Sequence, residues 1–293
     1  MSKQKMRTCP TLLLLFLVLN VDADKGLNYA MSRAERSPII GGKQASIEKY
    51  AFFVSLELVE IQVCGGSIIT NQWVLTAAHC FDMSKKKDQY KIRSGATAEG
   101  IGGTKHRIES YEIRFDYVRD DRNLLHNDLA LIRVKDVFYY DELRQPIKMF
   151  DFHEESPAGS SATIIGFSST NQRRGEDSGV YRLTESYIRI FSKIECTSIW
   201  AKFKVPVIPK STICAGADVR KDTCGGDSGG PLIIDGRLAG VTSFGRPRCA
   251  IPGVPAFYTE IAQFRHWIDS RTTFMQRRLF YTEIEAVRTK CRG

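Results

Sequence analysis

The stretch Asp222-Thr223-Cys224-Gly225-Gly226-Asp227-Ser228-Gly229-Gly230-Pro231 determines how the rest of the chain is interpreted. It places a candidate nucleophile, Ser228, among glycines. Taken alone, Ser-Gly-Gly is most often a turn, since glycine adopts the backbone angles that turns need. A serine hydroxyl is also a weak nucleophile at neutral pH and requires a base and an orienting acid nearby. The stretch therefore directs attention to histidines and carboxylates elsewhere in the chain.

Two further segments supply such groups. Thr76-Ala77-Ala78-His79-Cys80 offers an imidazole, and Asn127-Asp128-Leu129-Ala130-Leu131 offers a carboxylate in an apolar run typical of a buried strand. Each has an ordinary structural interpretation on its own. Together, His79, Asp128 and Ser228 occur in the order and with the flanking residues of the trypsin/chymotrypsin family of serine endopeptidases, which the chain resembles in its trypsin-like subgroup.

The resemblance implies a catalytic role for each of these residues. Ser228 would attack the scissile peptide carbonyl, His79 would take and return its proton, and Asp128 would orient the imidazole. The backbone N–H groups of Gly226 and Ser228 would form the oxyanion hole. We therefore expect a serine endopeptidase that acts through an acyl-enzyme and needs no cofactor.

The apolar pattern predicts an all-β chain with one C-terminal helix. Five short runs of apolar and branched residues read as strands, namely residues 51–56, 73–76, 129–132, 163–165 and 240–243. A stripe of apolar residues from Tyr258 or Ile261 to Ile268 predicts the helix. Composition alone does not exclude a sandwich or a single barrel. The resemblance implies two six-stranded antiparallel β-barrels with the active site between them.

The N-terminus has the pattern of a secretory signal peptide. Basic residues precede the apolar stretch 12–19, which is far shorter than the roughly 20 residues that span a bilayer. We expect a secreted, extracellular protein without a transmembrane segment. The predicted organisation is a signal peptide, a pro-segment, a trypsin-like protease domain of two barrels and a basic C-terminal extension, at residues 1–23, 24–38, 39–270 and 271–293.

The eight cysteines are best interpreted as disulfides, because secretion exposes them to an oxidising compartment. Cys9 leaves with the signal peptide, and six of the others could pair in 15 ways. The resemblance selects three bridges, Cys64–Cys80, Cys196–Cys214 and Cys224–Cys249. Cys291 is left over, either as a free thiol or as a bridge to another chain. Cysteine pairs at zinc spacing are not found in the sequence, so we expect no metal site.

The formal net charge of +9 first raises nucleic acid as a partner. Most of this excess lies in the two ends of the chain, and residues 39–270 are close to balanced. This distribution argues against nucleic acid. The expected partners are protein or peptide substrates, activating proteases and protein inhibitors.

Substrate choice is predicted to depend on Asp222, which the resemblance puts at the base of the specificity pocket. A buried carboxylate there would pair with Arg or Lys and reject an apolar side chain. Ser243-Phe244-Gly245 stands where the family usually has Ser-Trp-Gly. Ala256 occupies a position where trypsins usually have glycine, and its methyl group would crowd a guanidinium. We expect cleavage after Arg or Lys, with a preference that Ala256 modifies.

The activation site departs from the family pattern. Family precursors usually carry Arg or Lys directly before Ile-Ile-Gly-Gly or Ile-Val-Gly-Gly, whereas this chain has Arg36-Ser37-Pro38-Ile39. The freed Ile39 ammonium would pair with Asp227, so Ser37-Pro38 must be removed. Two-step activation would use a trypsin-like cut followed by a proline-specific dipeptidyl peptidase. The alternatives are a direct cut after Pro38 and a precursor that is never converted to an active form.

A second function class follows from this activation site. A chain that is never converted would be a catalytically silent homologue that acts as a binding or regulatory protein. The intact set of His79, Asp128 and Ser228 favours the active endopeptidase, because silent homologues typically lose one of these groups.

Overall fold

The computed structural model describes residues 42–84, 86–168, 181–217, 227–245, 251 and 253–273. The chain divides after Arg36, and all described residues belong to the second unit, Ser37–Gly293. The predicted signal peptide, the pro-segment with its activation site and nearly all of the C-terminal extension lie outside the described residues.

The first half of the domain is a closed antiparallel barrel. Its elements in chain order are β1 (Lys43–Gln44), β2 (Phe53–Leu58), β3 (Ile61–Ile68), β4 (Trp73–Thr76), β5 (Tyr90–Ser94), β6 (Thr104–Ile113), β7 (Val118–Arg119), β8 (Leu125–His126) and β9 (Ala130–Val134). Six of these strands close in the order β2-β3-β4-β9-β6-β5. Strands β7 and β8 form a separate two-stranded ribbon in the loop before β9.

The second half forms the other barrel. Its strands are β10 (Ser161–Ser168), β11 (Arg182–Ile190), β12 (Thr212–Gly216), β13 (Pro231–Ile234), β14 (Arg237–Phe244) and β15 (Ala256–Glu260). They pair in the order β11-β10-β13-β14-β15-β12, and pairing of β11 with β12 closes the ring. Strand β1 pairs with the same edge of β11 as β12 does, opposite β10. The predicted fold of two six-stranded antiparallel barrels is confirmed.

Two α-helices accompany the barrels in the described part of the chain. Helix α1 (Lys193–Ala201) begins with a capping box, in which the Ser192 hydroxyl accepts from the Glu195 backbone N–H and the Glu195 carboxylate accepts from that of Ser192. Sequence analysis missed this helix. Helix α2 covers residues 261–273 and is the predicted C-terminal helix. Tyr258 precedes it in β15, paired with Ile213.

Among the described residues, neither helix has the length and apolar character needed to span a bilayer. Both helices instead lie against the barrels. In helix α1 the buried residues Cys196 and Trp200 face the second barrel, where Trp200 packs on Phe257 with ring centroids 4.4 Å apart. Leu124, from the loop of the first barrel, is buried in this same apolar cluster. The cluster therefore joins that loop to the second barrel.

Two of the expected disulfides lie in the described residues. Cys64 in β3 is bonded to Cys80, with their Cα atoms 6.1 Å apart. Cys196 in α1 is bonded to Cys214 in β12, at a Cα separation of 6.2 Å. Bridges of this kind typically stabilise a domain by about 2–4 kcal/mol each. The expected Cys224–Cys249 bridge lies outside the described residues.

The first barrel contains a buried histidine whose surroundings lower its pKa. His106 on β6 is 5% exposed, and its Nε2 lies 2.8 Å from the Ser94 hydroxyl. Its ring packs against Phe138 at a centroid distance of 4.5 Å. Burial lowers the pKa of His106, and the charge of Arg144 lowers it further, although the backbone carbonyl of Asp136 partly opposes both effects.

We predict that His106 destabilises the folded state as the pH falls. Below its ordinary pKa of about 6.5, the unfolded histidine binds a proton that the folded one resists, so protonation favours unfolding. The unfolding free energy of the wild type should therefore drop more steeply below about pH 6.5 than that of His106→Gln. Denaturant titrations of both proteins from pH 5 to 8 measure this difference. Parallel curves for the two proteins would contradict it.

Candidate active site

The Asp128 carboxylate is the best-defined polar group between the two barrels. Its side chain is fully buried, at 0% exposure. Oδ1 accepts from the His79 backbone N–H at 2.9 Å, and Oδ2 lies 2.7 Å from His79 Nδ1. The Ser243 hydroxyl donates to Oδ2 at 2.6 Å. A buried carboxylate needs such donors, because burial without them costs several kcal/mol per ion.

Strand register explains why His79 and Asp128 meet. Strands β4 and β9 are antiparallel neighbours, with Thr76 opposite Ala130. His79 follows the end of β4 in a 3-10 turn, Ala78–Phe81, and Asp128 comes just before β9 begins. Both residues therefore lie at the same end of the first barrel. The disulfide at Cys80 fixes this turn to β3.

Two residues of the second barrel reach the segment around Asp128. The Thr259 hydroxyl on β15 donates to the Asp128 backbone carbonyl at 2.9 Å. The Ser211 hydroxyl donates to the side-chain carbonyl of Asn127 at 3.1 Å. Asn127 has a φ of 52°, a left-handed conformation that asparagine tolerates better than most residues. The start of β9 is thus fixed by both barrels.

Ser228 lies on a turn that packs against the first barrel. Its backbone carbonyl accepts from the Gly65 N–H at 2.7 Å, and the Gly229 N–H donates to the Thr242 carbonyl at 2.8 Å. Strand β3 of the first barrel and β14 of the second therefore both hold the turn. Asp227, the residue before the candidate nucleophile, is 2% exposed.

Gly229 shows how closely the turn approaches the strand that leads to His79. A Cβ atom at Gly229 would lie 2.2 Å from Thr76 Oγ1, 2.7 Å from the Gly65 oxygen and 3.2 Å from the Ala77 nitrogen. Its φ of 75° also favours glycine. The Ser228 turn thus packs against the end of β4, and the structure brings the three predicted catalytic residues to one region between the barrels.

The surroundings of His79 favour its protonated form. Burial lowers the pKa of this imidazole, but the charge of the Asp128 carboxylate and the hydrogen bond to it raise the pKa more. The net direction is upward from the ordinary value. An imidazole with these partners can accept a proton from a neighbouring hydroxyl and hold it as an imidazolium next to a carboxylate.

Four of the five predicted specificity residues come together at the ends of β14 and β15. Ser243, Phe244 and Gly245 run along the end of β14, and a Cβ atom at Gly245 would lie 3.9 Å from that of Ala256. The Phe244 ring packs on Trp200 at a centroid distance of 5.8 Å. Ala256 is buried, at 3% exposure. Asp222, Gly226 and the activation residue Ile39 lie outside the described residues.

The described residues contain one group whose atoms are close enough to bind a metal ion. It consists of Cys64, His79 and Cys80, with potential ligand atoms within 4.8 Å of one another. The two sulfurs are bonded to each other, so the thiolates that a metal would require are not available. His79 is the single nitrogen ligand of the group.

Several residues around the site were not found by sequence analysis. Ser243 is a predicted specificity residue, but its hydroxyl also donates to Asp128. The sequence does not reveal the hydrogen bond of Thr259 to Asp128, or that of Tyr117 to Asp82, which follows the turn of His79. Their contacts depend on strand pairing and on loop shape, and their sequence surroundings carry no motif that would have identified them.

Comparisons with known proteins identify the family of the chain. The family described as Trypsin matches residues 39–268. Among similar proteins, renal glandular kallikrein of Mastomys natalensis is 33% identical over 247 residues, which cover 80% of this chain and 89% of the relative. A trypsin of Phaedon cochleariae is 29% identical over 255 residues, covering 84% of this chain and 95% of the relative.

A solved structure is similar as well. Neuropsin, a serine protease expressed in the limbic system of mouse brain, superposes with a TM-score of 0.68 at 26% identity. The match covers 79% of this chain and 99% of neuropsin. The family match and these relatives identify the chain as a serine endopeptidase, a hydrolase of peptide bonds. The chain belongs to the trypsin family.

The packing of Gly229 predicts a large difference between two glycine substitutions. Gly229 and Gly236 both have a left-handed φ, of 75° and 73°, but Gly236 has no atom within 4 Å of an added Cβ. We expect Gly236→Ala to cost about 1–2 kcal/mol of unfolding free energy from backbone strain alone. Gly229→Ala should cost at least about 2 kcal/mol more, because Thr76 and Gly65 must move. Denaturant unfolding measures both, and equal costs would contradict the packing described here.

Proposed function

We propose that the protein is a secreted endopeptidase, made as an inactive precursor, that cleaves peptide bonds after Arg or Lys. The observation that carries this proposal is the hydrogen-bonded pair of His79 and the fully buried Asp128. Burial of an ionisable pair costs free energy, and ionisable groups whose pKa values are shifted by burial and by a charged partner cluster at functional sites. Ser228 lies on a turn that packs against Thr76 and Ala77, which directly precede the turn of His79.

In the proposed reaction, Ser228 Oγ attacks the scissile carbonyl while His79 accepts the hydroxyl proton. His79 then gives this proton to the leaving amine, and an acyl-enzyme forms. Water hydrolyses the acyl-enzyme with the same base, which restores Ser228. Asp128 holds the imidazole in the required tautomer and stabilises the imidazolium. The backbone N–H groups of Gly226 and Ser228 bind the oxyanion, each contributing about 2.7–4 kcal/mol in comparable sites.

Substrate specificity is proposed to come from Asp222. Its carboxylate would pair with the charged end of Arg or Lys, whereas an apolar side chain would leave the carboxylate unpaired. The closeness of Gly245 to Ala256, at the ends of β14 and β15, supports the proposal that these residues line the same pocket. Because Ala256 adds a methyl group near Gly245, the bulkier guanidinium should be accommodated less well than in a pocket with glycine at this position.

Substitution of the proposed catalytic residues tests the mechanism. We expect Ser228→Ala and His79→Ala each to lower kcat for an arginyl peptide substrate by at least about 10⁴-fold, since the groups act as a unit. Full activity of Ser228→Ala would refute the proposed nucleophile.

Asp222→Ser should lower kcat/KM for the arginyl substrate by about 10³-fold or more, with little loss on a substrate with an apolar residue at the cut.

Activation is proposed to require two cuts. The basic residue nearest to Ile39 is Arg36, and a cut after it would leave Ser37-Pro38 in front. These two residues add roughly 6–7 Å of chain to a terminus that must enter a closed site. A proline-specific dipeptidyl peptidase would then release Ile39. The depth of Asp227, the proposed partner of the Ile39 ammonium, supports this need for a trimmed terminus.

N-terminal sequencing alongside an arginyl substrate assay tests this order of events. Cleavage after Arg36 alone should give a protein that begins at Ser37 and has little activity. Treatment with a dipeptidyl peptidase should then yield Ile39 at the terminus together with turnover. Activity that appears while dipeptidyl peptidases are inhibited would instead support a direct cut after Pro38.

A further inference from the structure

A charged cluster lies directly beside His79 and outside the groups already described. Asp82 follows the 3-10 turn that carries His79, and its backbone N–H donates to the His79 carbonyl at 3.0 Å. Its carboxylate Oδ2 accepts from the Tyr117 hydroxyl at 3.0 Å and from the Arg119 guanidinium at 3.3 Å. We call these three side chains the Asp82 cluster.

The partners of Asp82 belong to the loop that leads to Asp128. Arg119 is part of β7, which pairs with β8 (Leu125–His126), and Asp128 follows two residues later. Leu124 anchors this ribbon in the apolar cluster of the second barrel. The Asp82 cluster therefore connects the turn that carries His79 to an already anchored loop that carries Asp128.

The cluster also acts on His79 through its charges. Burial lowers the pKa of His79, whereas Asp128 raises it. The next two contributions to this pKa come from the cluster: the negative charge of Asp82 raises it, and the positive charge of Arg119 lowers it. Burial raises the pKa of Tyr117, as do the nearby Asp128 and Asp82 carboxylates, so the phenol stays neutral at physiological pH.

We propose that Asp82, held by Tyr117 and Arg119, is a positioning residue that fixes the His79 turn against the Asp128 loop and balances the charge next to the imidazole. This inference rests on the proposed function of His79 as the general base. Asp82 and Arg119 are 40% and 45% exposed, so their charges reach His79 from the rim of the site and are partly screened. They affect the imidazole in opposite directions.

The opposite effects of the Asp82 and Arg119 charges on the titration of His79 provide the test. The His79 ring titration is followed by NMR at low salt, and the acid limb of kcat/KM is followed on an arginyl substrate. Asp82→Asn should lower both midpoints by about 0.3–0.5 pH unit, and Arg119→Gln should raise them by a similar amount. In the double variant both midpoints should return close to those of the wild type.

Tyr117→Phe should leave the midpoints in place and lower the plateau of kcat/KM by about 2- to 10-fold, since it removes a hydrogen bond without changing charge.

Asp235→Asn is the matched control. Asp235 is an exposed acid in the hairpin turn after β13, at the end of that strand away from Ser228, and asparagine tolerates its φ of 49°. This variant removes the same charge and should move neither midpoint. Raising the salt concentration should shrink the shifts of the Asp82 and Arg119 variants, because exposed charges are screened.

The outcomes separate this inference from the proposed function. Shifts of the same sign in Asp82→Asn and Arg119→Gln, or no shift in either, would overturn the inference even if the wild type cleaves its substrate normally. If the opposite shifts appear in the NMR titration of a protein that shows no turnover, the link between the cluster and His79 holds and the proposed catalytic function fails.

Discussion

The buried carboxylate of Asp128 is the constraint on which the arrangement of the site depends. Its side chain is fully buried from bulk solvent, and three donors of the protein stabilise its charge. His79 provides two of them from the first barrel, and Ser243 provides a third from β14 of the second. Thr259 on β15 binds the backbone carbonyl of the same residue. One residue thus requires the two barrels to keep a fixed relation to each other.

The position of the candidate nucleophile also depends on both barrels. The Ser228 turn is held by Gly65 in β3 and by Thr242 in β14, which are strands of different barrels. Gly65 follows Cys64, whose disulfide partner Cys80 follows His79. A short covalent and hydrogen-bonded path therefore connects the turn to the imidazole. Displacement of one barrel would disturb the candidate nucleophile, the candidate base and the candidate orienting acid together.

The parts of the site that sequence analysis could predict are those that short motifs specify. The flanks of His79 and Asp128 identified both residues, and strand register then explains their contact. Thr259 and the Asp82 cluster could not be predicted in this way, because their contacts join segments that are distant in the chain and depend on loop geometry. The motifs indicate which groups are present, whereas the pairing of strands determines what surrounds them.

The fold was predictable in outline and less so at element boundaries. The strand predicted from Ala51 begins at Phe53, since the preceding residues form a turn. Tyr258 fits the apolar stripe of the C-terminal helix, but its backbone pairs with Ile213 and keeps it in β15. Helix α1 has almost no amphipathic pattern to reveal it. Its Ser192 and Glu195 form a capping box at the spacing that signals a helix start, and this was the available clue.

The proposed reaction requires the His79–Asp128 pair to activate Ser228 as a nucleophile. The most direct measurement is labelling of the mature protein with a serine-directed phosphonylating probe, followed by peptide mapping of the modified residue. We expect a label on Ser228 that disappears in His79→Ala although that variant remains folded. Equal labelling of Ser228 in the wild type and in His79→Ala, or a mature protein beginning at Ile39 that takes no label, would contradict it.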